Sequence, residues 1–165
     1  MMNIEVRKAE NSDLTAFCML WQFYQYHQSS FNYEDIDQTG RFDIDDEYLN
    51  DVLSGLEECD AYIIFVEDKI AGFATIETTK ISGKQMNELS DIFILPKYRK
   101  QGVAKSVVET LMISKQYEWH VAIYQNDRQA LHFWESMFNK LEIKGVTKIE
   151  PPETEGFHEF VVKNT

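Results

Sequence analysis

The residue types in this chain best suited to chemistry lie in one stretch, DIFILPKYRKQGVAKSVVETLM, from Asp91 to Met112. An apolar, strand-like run stops at Pro96. Lys97, Arg99, Lys100 and Lys105 then fall within nine residues that contain no acid, and an amphipathic helix begins near Gly102. The start of a helix leaves backbone N–H groups without intrahelical partners, and the helix dipole favours negative charge there. Gly102 and the small Ala104 let an anion come close to the backbone, and the nearby cations add charge-assisted hydrogen bonds. That combination suits a phosphate group. The plainer reading is a solvated basic turn whose glycine serves geometry alone. The spacing is neither Gly-x-x-x-x-Gly-Lys-Ser/Thr nor the three-glycine fingerprint of dinucleotide sites.

The other reactive side chains are scattered. His27, His120, His132 and His158 show no metal-ligand spacing and read as structural histidines, so no metal site is expected. Cys18 and Cys59 sit in apolar or helical contexts and read as two buried free thiols of a reducing compartment. No Ser-His-Asp or Cys-His arrangement follows from sequence order.

Periodicity supplies the elements that must hold the basic turn. NIEVRKA alternates as a first strand. NSDLTAFCMLWQFYQYH opens on a Ser12/Asp13 cap, carries Leu14, Phe17, Leu20, Trp21 and Tyr24 on one helical face, and ends at His27. FNYEDIDQTGRFDIDD reads as a loop, and DEYLNDVLSGL as a short second helix ending near Gly55. DAYIIFVEDKIAGFATIETTK reads as two strands around a Glu67-Asp68-Lys69 turn, and ISGKQ as a loop before the strand MNELSDIFILP. Ala104, Val107, Val108, Leu111 and Met112 form the stripe of a third helix, which leads to a strand, WHVAIYQ. Ala130, Phe133, Trp134, Met137 and Phe138 form the stripe of a fourth helix, and LEIKGVTKI and FHEFVVK close the chain as strands. With no repeat or linker, residues 1–165 read as one mixed α/β domain.

Charge is distributed unevenly. The net charge of −12 argues against a nucleic-acid partner, and no apolar run approaches the length of a membrane span. Eleven acids and one base, Arg41, lie between Glu34 and Asp60, so nearly all of the excess sits in that segment. Tyr33, Phe42 and Tyr48 are interleaved with those carboxylates. The N-terminus enters the first strand without a visible signal peptide, and a cytoplasmic location is expected.

Arg99-Lys100-Gln101-Gly102-Val103-Ala104 resembles the Arg/Gln-x-x-Gly-x-Gly/Ala pyrophosphate loop of the GNAT (Gcn5-related) N-acetyltransferase superfamily. NELSDIFILPKYRKQGVAKSVV is similar to that family's strand 4, loop and helix 3, and YQNDRQALHFWESM to its Asn-x-x-x-Ala-x-x-Phe-Tyr segment. Together these pieces cover Asn87 to Phe138 in the family's order. The resemblance implies a mixed, mostly antiparallel sheet of six or seven strands with about four flanking helices. It implies acetyl-CoA as co-substrate, with pantetheine along Phe93, Ile94 and Leu95. The pyrophosphate would be held by Arg99, Lys100, Gln101, Gly102, Val103, Ala104 and Lys105, and Asn126 would lie near the pantetheine arm.

The reaction implied is direct attack of a primary amine on the thioester. Such an amine, with a pKa near about 10, needs a base at neutral pH. Glu88, at the family's strand-4 glutamate, is the first candidate and Asp91 the second. On an undistorted strand their odd separation points them to opposite faces, unless the family's strand-4 bulge intervenes. Trp134 stands where many members carry an acid-donating tyrosine. It reads as a packing residue, leaving Tyr124 as a substitute donor. The acceptor expected is a small-molecule or peptide amine, cationic if the acidic segment forms a wall of its site, and a homodimer is a compatible assembly. The alternative is a catalytically degenerate domain acting as a coenzyme A-binding or protein-interaction module.

Overall fold

The computed structural model describes residues 1–115 and 117–164. Among these residues, the alternating segments become seven strands: β1 (Ile4–Lys8), β2 (Cys59–Val66), β3 (Lys69–Ile81), β4 (Lys84–Ile94), β5 (Glu118–Tyr124), β6 (Gly145–Ile149) and β7 (Phe157–Lys163). The helices are α1 (Leu14–Asn32), α2 (Asp46–Leu53), α3 (Val103–Val108) and α4 (Arg128–Lys140); α3 continues through a wider π turn, Glu109–Ile113. One sheet runs β1-β2-β3-β4-β5-β7-β6, antiparallel throughout except between β4 and β5.

Helices cover both faces. Phe17 and Leu20 of α1 and Leu49 and Val52 of α2 pack on Ala61, Ile63, Phe73 and Phe93. On the opposite face, Val103 and Val107 of α3 and Trp134 and Met137 of α4 pack on Trp119, Val121 and Val162. Trp134 is therefore a core residue, 4% exposed. Truncating a side chain as buried as Phe17 to alanine costs about 3–5 kcal/mol.

Local chemistry fixes the ends. Asp13 accepts from the Glu10 N–H at 2.7 Å and binds Arg7 through both oxygens, which ties the start of α1 to β1. Asp45 caps α2 by accepting from the Glu47 and Tyr48 N–H groups, a contact worth about 1 kcal/mol. Helix α1 runs five residues past His27 and stops where Tyr33 turns left-handed, at φ 58°. The ISGKQ segment is no loop: Ser82 and Gly83, at φ 51° and 77°, make a two-residue hairpin turn that lets β3 run directly into β4. The two thiols are free but only half-buried.

Candidate functional site

Strand β4 organises the site because it changes partners along its length. It pairs with β5 only at Asn87–Trp119 and Glu88–His120, after which the two parallel strands part. The Leu95 N–H bonds to the Ala71 carbonyl at 2.8 Å, so Leu95 and, by alternation, Phe93 direct their backbone groups to β3. The backbone groups of Ile92 and Ile94 then face the gap. Of the three residues expected along the cofactor arm, Ile94 has the outward-facing backbone, and Ile92 joins it. Gly72 on β3 secures this geometry, since a Cβ there would lie 2.0 Å from the Phe93 carbonyl oxygen.

The basic turn closes the upper end of β4. The Arg99 side chain folds back, donating from Nε to the Ile94 carbonyl at 2.7 Å and lying over the Phe93 ring at 5.5 Å. Gln101 donates to the Lys97 carbonyl. Lys100 and Gly102 both take left-handed backbone, φ 58° and 80°. A Cβ at Gly102 would meet no protein atom within 4 Å, so conformation, not space within the protein, selects glycine there. The first intrahelical bond runs from the Ser106 N–H to the Gly102 carbonyl. The N–H groups from Gly102 to Lys105 therefore precede the helical ladder and are available to an anion. Val103 is buried, Ala104 is half-buried, and Lys105 makes a 3.8 Å pair with Glu109 on the surface.

The carboxylates sit just below. In the β3–β4 ladder Thr75 faces Asp91 and Ile76 faces Leu89, so Ser90 is an extra residue on β4. This bulge reverses the alternation and brings Glu88 and Asp91 onto the same face, together with Glu77 opposite Glu88. Asp91 accepts from the Thr75 hydroxyl at 2.7 Å and lies beside the Tyr24 hydroxyl. Burial outweighs these hydrogen bonds, the nearby Glu77 and Glu88 add repulsion, and the Asp91 carboxyl is pushed up to about 6. Burial and the adjacent Asp91 hold the Tyr24 phenol well above its ordinary value, so it remains a hydroxyl donor.

An aromatic wall rises over that face. Tyr24, His27 and Phe31 of α1 meet Phe93 of β4, Tyr124 of β5 and Phe157 of β7, with ring centroids 5.4–6.0 Å apart. Tyr124 lies half-buried at the end of β5 between Phe31 and Phe157. Asn126 is exposed in the turn before α4, where Asp127 takes the capping role by accepting from the Ala130 N–H. In the acidic segment, Phe42 is buried, while Tyr33 and Tyr48 remain exposed. Several acids are occupied: Asp37 binds its own turn through Thr39 and Arg41, Asp45 caps α2, and Asp46 pairs with Arg41 at 3.0 Å.

The sequence pattern of the acetyltransferase (GNAT) family matches residues 13–139. The chain belongs to the GNAT acetyltransferase family. Solved structures with the same fold include the PaiA N-acetyltransferase from Thermoplasma acidophilum in complex with coenzyme A. It is 15% identical, with 98% of this chain and 99% of that one covered and a TM-score of 0.67. Arabidopsis thaliana NAA60, in complex with a bisubstrate analogue, is 13% identical over 97% of this chain and 96% of its own, with a TM-score of 0.58. The aminoglycoside acetyltransferase meta-AAC0020, from an uncultured soil metagenomic sample and in complex with sisomicin, is 18% identical over 91% and 97%, with a TM-score of 0.56. At these identities the likeness is one of fold. No curated protein sequence matches this GNAT chain.

Sequence reasoning missed Tyr24, Thr75, Glu77, His120 and Glu159 as neighbours of the candidate carboxylates. In the sequence Tyr24 is one more position of the apolar stripe of α1, and its hydroxyl gives no local signal. The other four join the face only through strand pairing.

Proposed function

We propose that the protein is an acetyl-CoA-dependent N-acetyltransferase that acylates a primary amine, cationic at neutral pH, on a small molecule or peptide. The observation that carries the proposal is the bulge at Ser90, which puts Asp91 and Glu88 on one face at the point where β4 and β5 part. The groups around the gap fit coenzyme A. Free N–H groups at Gly102 to Lys105 and the cations Lys97 and Lys100 suit a pyrophosphate. The outward backbone of Ile92 and the N–H of Ile94, whose carbonyl is held by Arg99, suit the amides of pantetheine.

The acceptor arrives as an ammonium ion, and Asp91, Glu77 and Glu88 supply the negative face that receives it. Asp91 is the base. With its carboxyl at about 6 it is ionised at neutral pH yet close enough to neutrality to take a proton efficiently. The freed nitrogen lone pair attacks the thioester carbonyl carbon, the C–N bond forms, and the C–S bond then breaks. The thiolate leaves with the electron pair of that bond, and the second nitrogen proton balances it as thiol. A coenzyme A thiol with a pKa near about 8.5 is a fair leaving group, so the absence of a tyrosine at position 134 is tolerable.

Thiol release with acetyl-CoA and a panel of amines tests this reading. Asp91→Asn should lower kcat by roughly 10²–10⁴ while coenzyme A affinity holds, and raising the pH should restore part of the rate as free amine accumulates. Equal rates in parent and variant would remove Asp91 from the reaction. Thermal stabilisation by coenzyme A with no thiol release from any amine would favour a binding module.

A further inference from the structure

Below the gap, three ionisable side chains from three strands touch on the acceptor face. His120 Nε2 lies 2.7 Å from Glu159 Oε2, and His120 Nδ1 lies 3.6 Å from Glu88 Oε2 and 3.1 Å from the Thr79 hydroxyl. The side chains are nearly dry, with 6% of His120, 13% of Glu88 and none of Glu159 exposed. Ile81, Met86 and Val161 flank them as a small apolar cluster, and Val161 is the β7 partner of His120. Glu159 is also held from the chain before β7, accepting from the Thr154 N–H at 2.7 Å. The three do not form a metal-binding group.

Two poorly solvated carboxylates on either side of one imidazole leave burial uncompensated unless the ring carries charge. An imidazolium resolves the conflict: Nε2–H donates to Glu159, and the ring's charge lies 3.6 Å from Glu88 across an Nδ1 that meets the Thr79 hydroxyl. Burial opposes that charge, but Glu88 and Glu159 outweigh it and raise the His120 pKa. The charged groups facing His120 are Glu88 from β4 and Glu159 from β7; β3 contributes only the neutral Thr79. Farther up the face, Glu88 is followed by Glu77 and Asp91.

We infer that His120, paired with Glu159, is a positioning residue that aims the Glu88 carboxylate along the acceptor face, so that Glu88 anchors the acceptor's ammonium while Asp91 takes its proton. This rests on the N-acetyltransferase reading for its substrate and on the geometry for its cation. The inward oxygen of Glu88 forms a 3.6 Å ion pair with His120, and Glu77 and Asp91 lie on its other side, so the positive partner it lacks there is the one an ammonium brings. Two carboxylates three residues apart thus take different duties: one holds the ammonium, the other takes its proton.

Histidine side-chain NMR on the intact parent protein reads the cation directly. The His120 ring should titrate above the ordinary histidine value, and Glu159→Gln should lower its pKa. A ring that titrates at or below the ordinary value of about 6.5 overturns the assignment, as does an unchanged pKa in Glu159→Gln. The second arm is kinetic. His120→Gln should raise KM for the amine by about tenfold or more, the loss expected for a hydrogen bond to a charged group, with kcat held within a few-fold and coenzyme A affinity unchanged. If His120→Gln does not fold, the double variant with Glu159→Gln removes the stranded charge and takes its place. A loss in kcat alone, or no change in amine KM, overturns the positioning role. If no amine drives thiol release, the N-acetyltransferase reading fails, and the titration still decides whether His120 is the buried cation.

Discussion

The two sides of the upper half of β4 are built from different materials. On the proposed cofactor side, the groups offered are backbone: the N–H groups of Gly102 to Lys105, the outward groups of Ile92 and Ile94, and left-handed turns at Lys100 and Gly102. On the proposed acceptor side, they are side chains contributed by α1, β3, β4, β5 and β7. A backbone site suits a constant partner, because it asks few side chains to stay fixed. A side-chain site can change its partner residue by residue. The charge follows the same division, basic on one side and acidic on the other.

The most severe way to break that division is at Gly102. Gly102→Glu puts a Cβ on φ 80° and a carboxylate at the proposed pyrophosphate site. Calorimetry should show coenzyme A affinity falling by about 100-fold or more, while the folded protein keeps its acceptor face intact. Unchanged affinity would move the phosphates away from this turn.

A smaller effect sharpens the acceptor side. Because the folded protein raises the Asp91 pKa, it binds more protons there than the unfolded chain between about pH 4 and about 6. Its contribution to stability is therefore present below that window and lost as pH rises through it. Asp91→Asn escapes the loss. In denaturant titrations it should gain roughly 1–3 kcal/mol relative to the parent on going from pH 4 to pH 7.5. A gap that does not vary with pH would mean that Asp91 titrates normally.

The smallest effect concerns long-range charge. Neutralising exposed Asp35, Asp43 and Glu47 leaves the Asp45 cap and the Arg41–Asp46 pair in place. For a cationic acceptor, kcat/KM of the parent should fall with added salt, and the triple variant should show a dependence weaker by about a few-fold. Identical salt profiles would reduce the segment to a solvated face.

The same division explains what the sequence disclosed. The basic turn was legible because a backbone site is local: Pro96, the cations and Gly102 are contiguous, and the strand–turn–helix order around them is set by periodicity. The acceptor face was not. His120 and Glu159 are 39 residues apart and meet only through the β5–β7 ladder. The available hint was parity: Glu159 shares its strand face with Phe157 and Val161, a position where an unpaired carboxylate would be costly. The bulge has no residue signature, since Ser90 is neither glycine nor proline, and only the family resemblance raises it. The hairpin at Ser82–Gly83 read as a loop because serine is an unusual first residue for that turn. The last five residues of α1, QSSFN, carry few strong helix formers, and the helix persists there through the contacts of Phe31.

One quiet contact sets how freely the acidic segment can vary. Gln22, buried on α1, donates from its amide to the Phe42 carbonyl at 3.0 Å and accepts from the Phe42 N–H at 2.8 Å. Both bonds read main chain alone, as a strand partner would. The segment from Glu34 to Arg41 is consequently fastened at its far end by a residue that is indifferent to what that segment contains. Beyond Glu34, Asp37, Thr39 and Arg41, which bind Gln25, one another and Asp46, side chains there can be exchanged without touching the anchor, and the chain keeps a variable stretch mounted on a fixed frame.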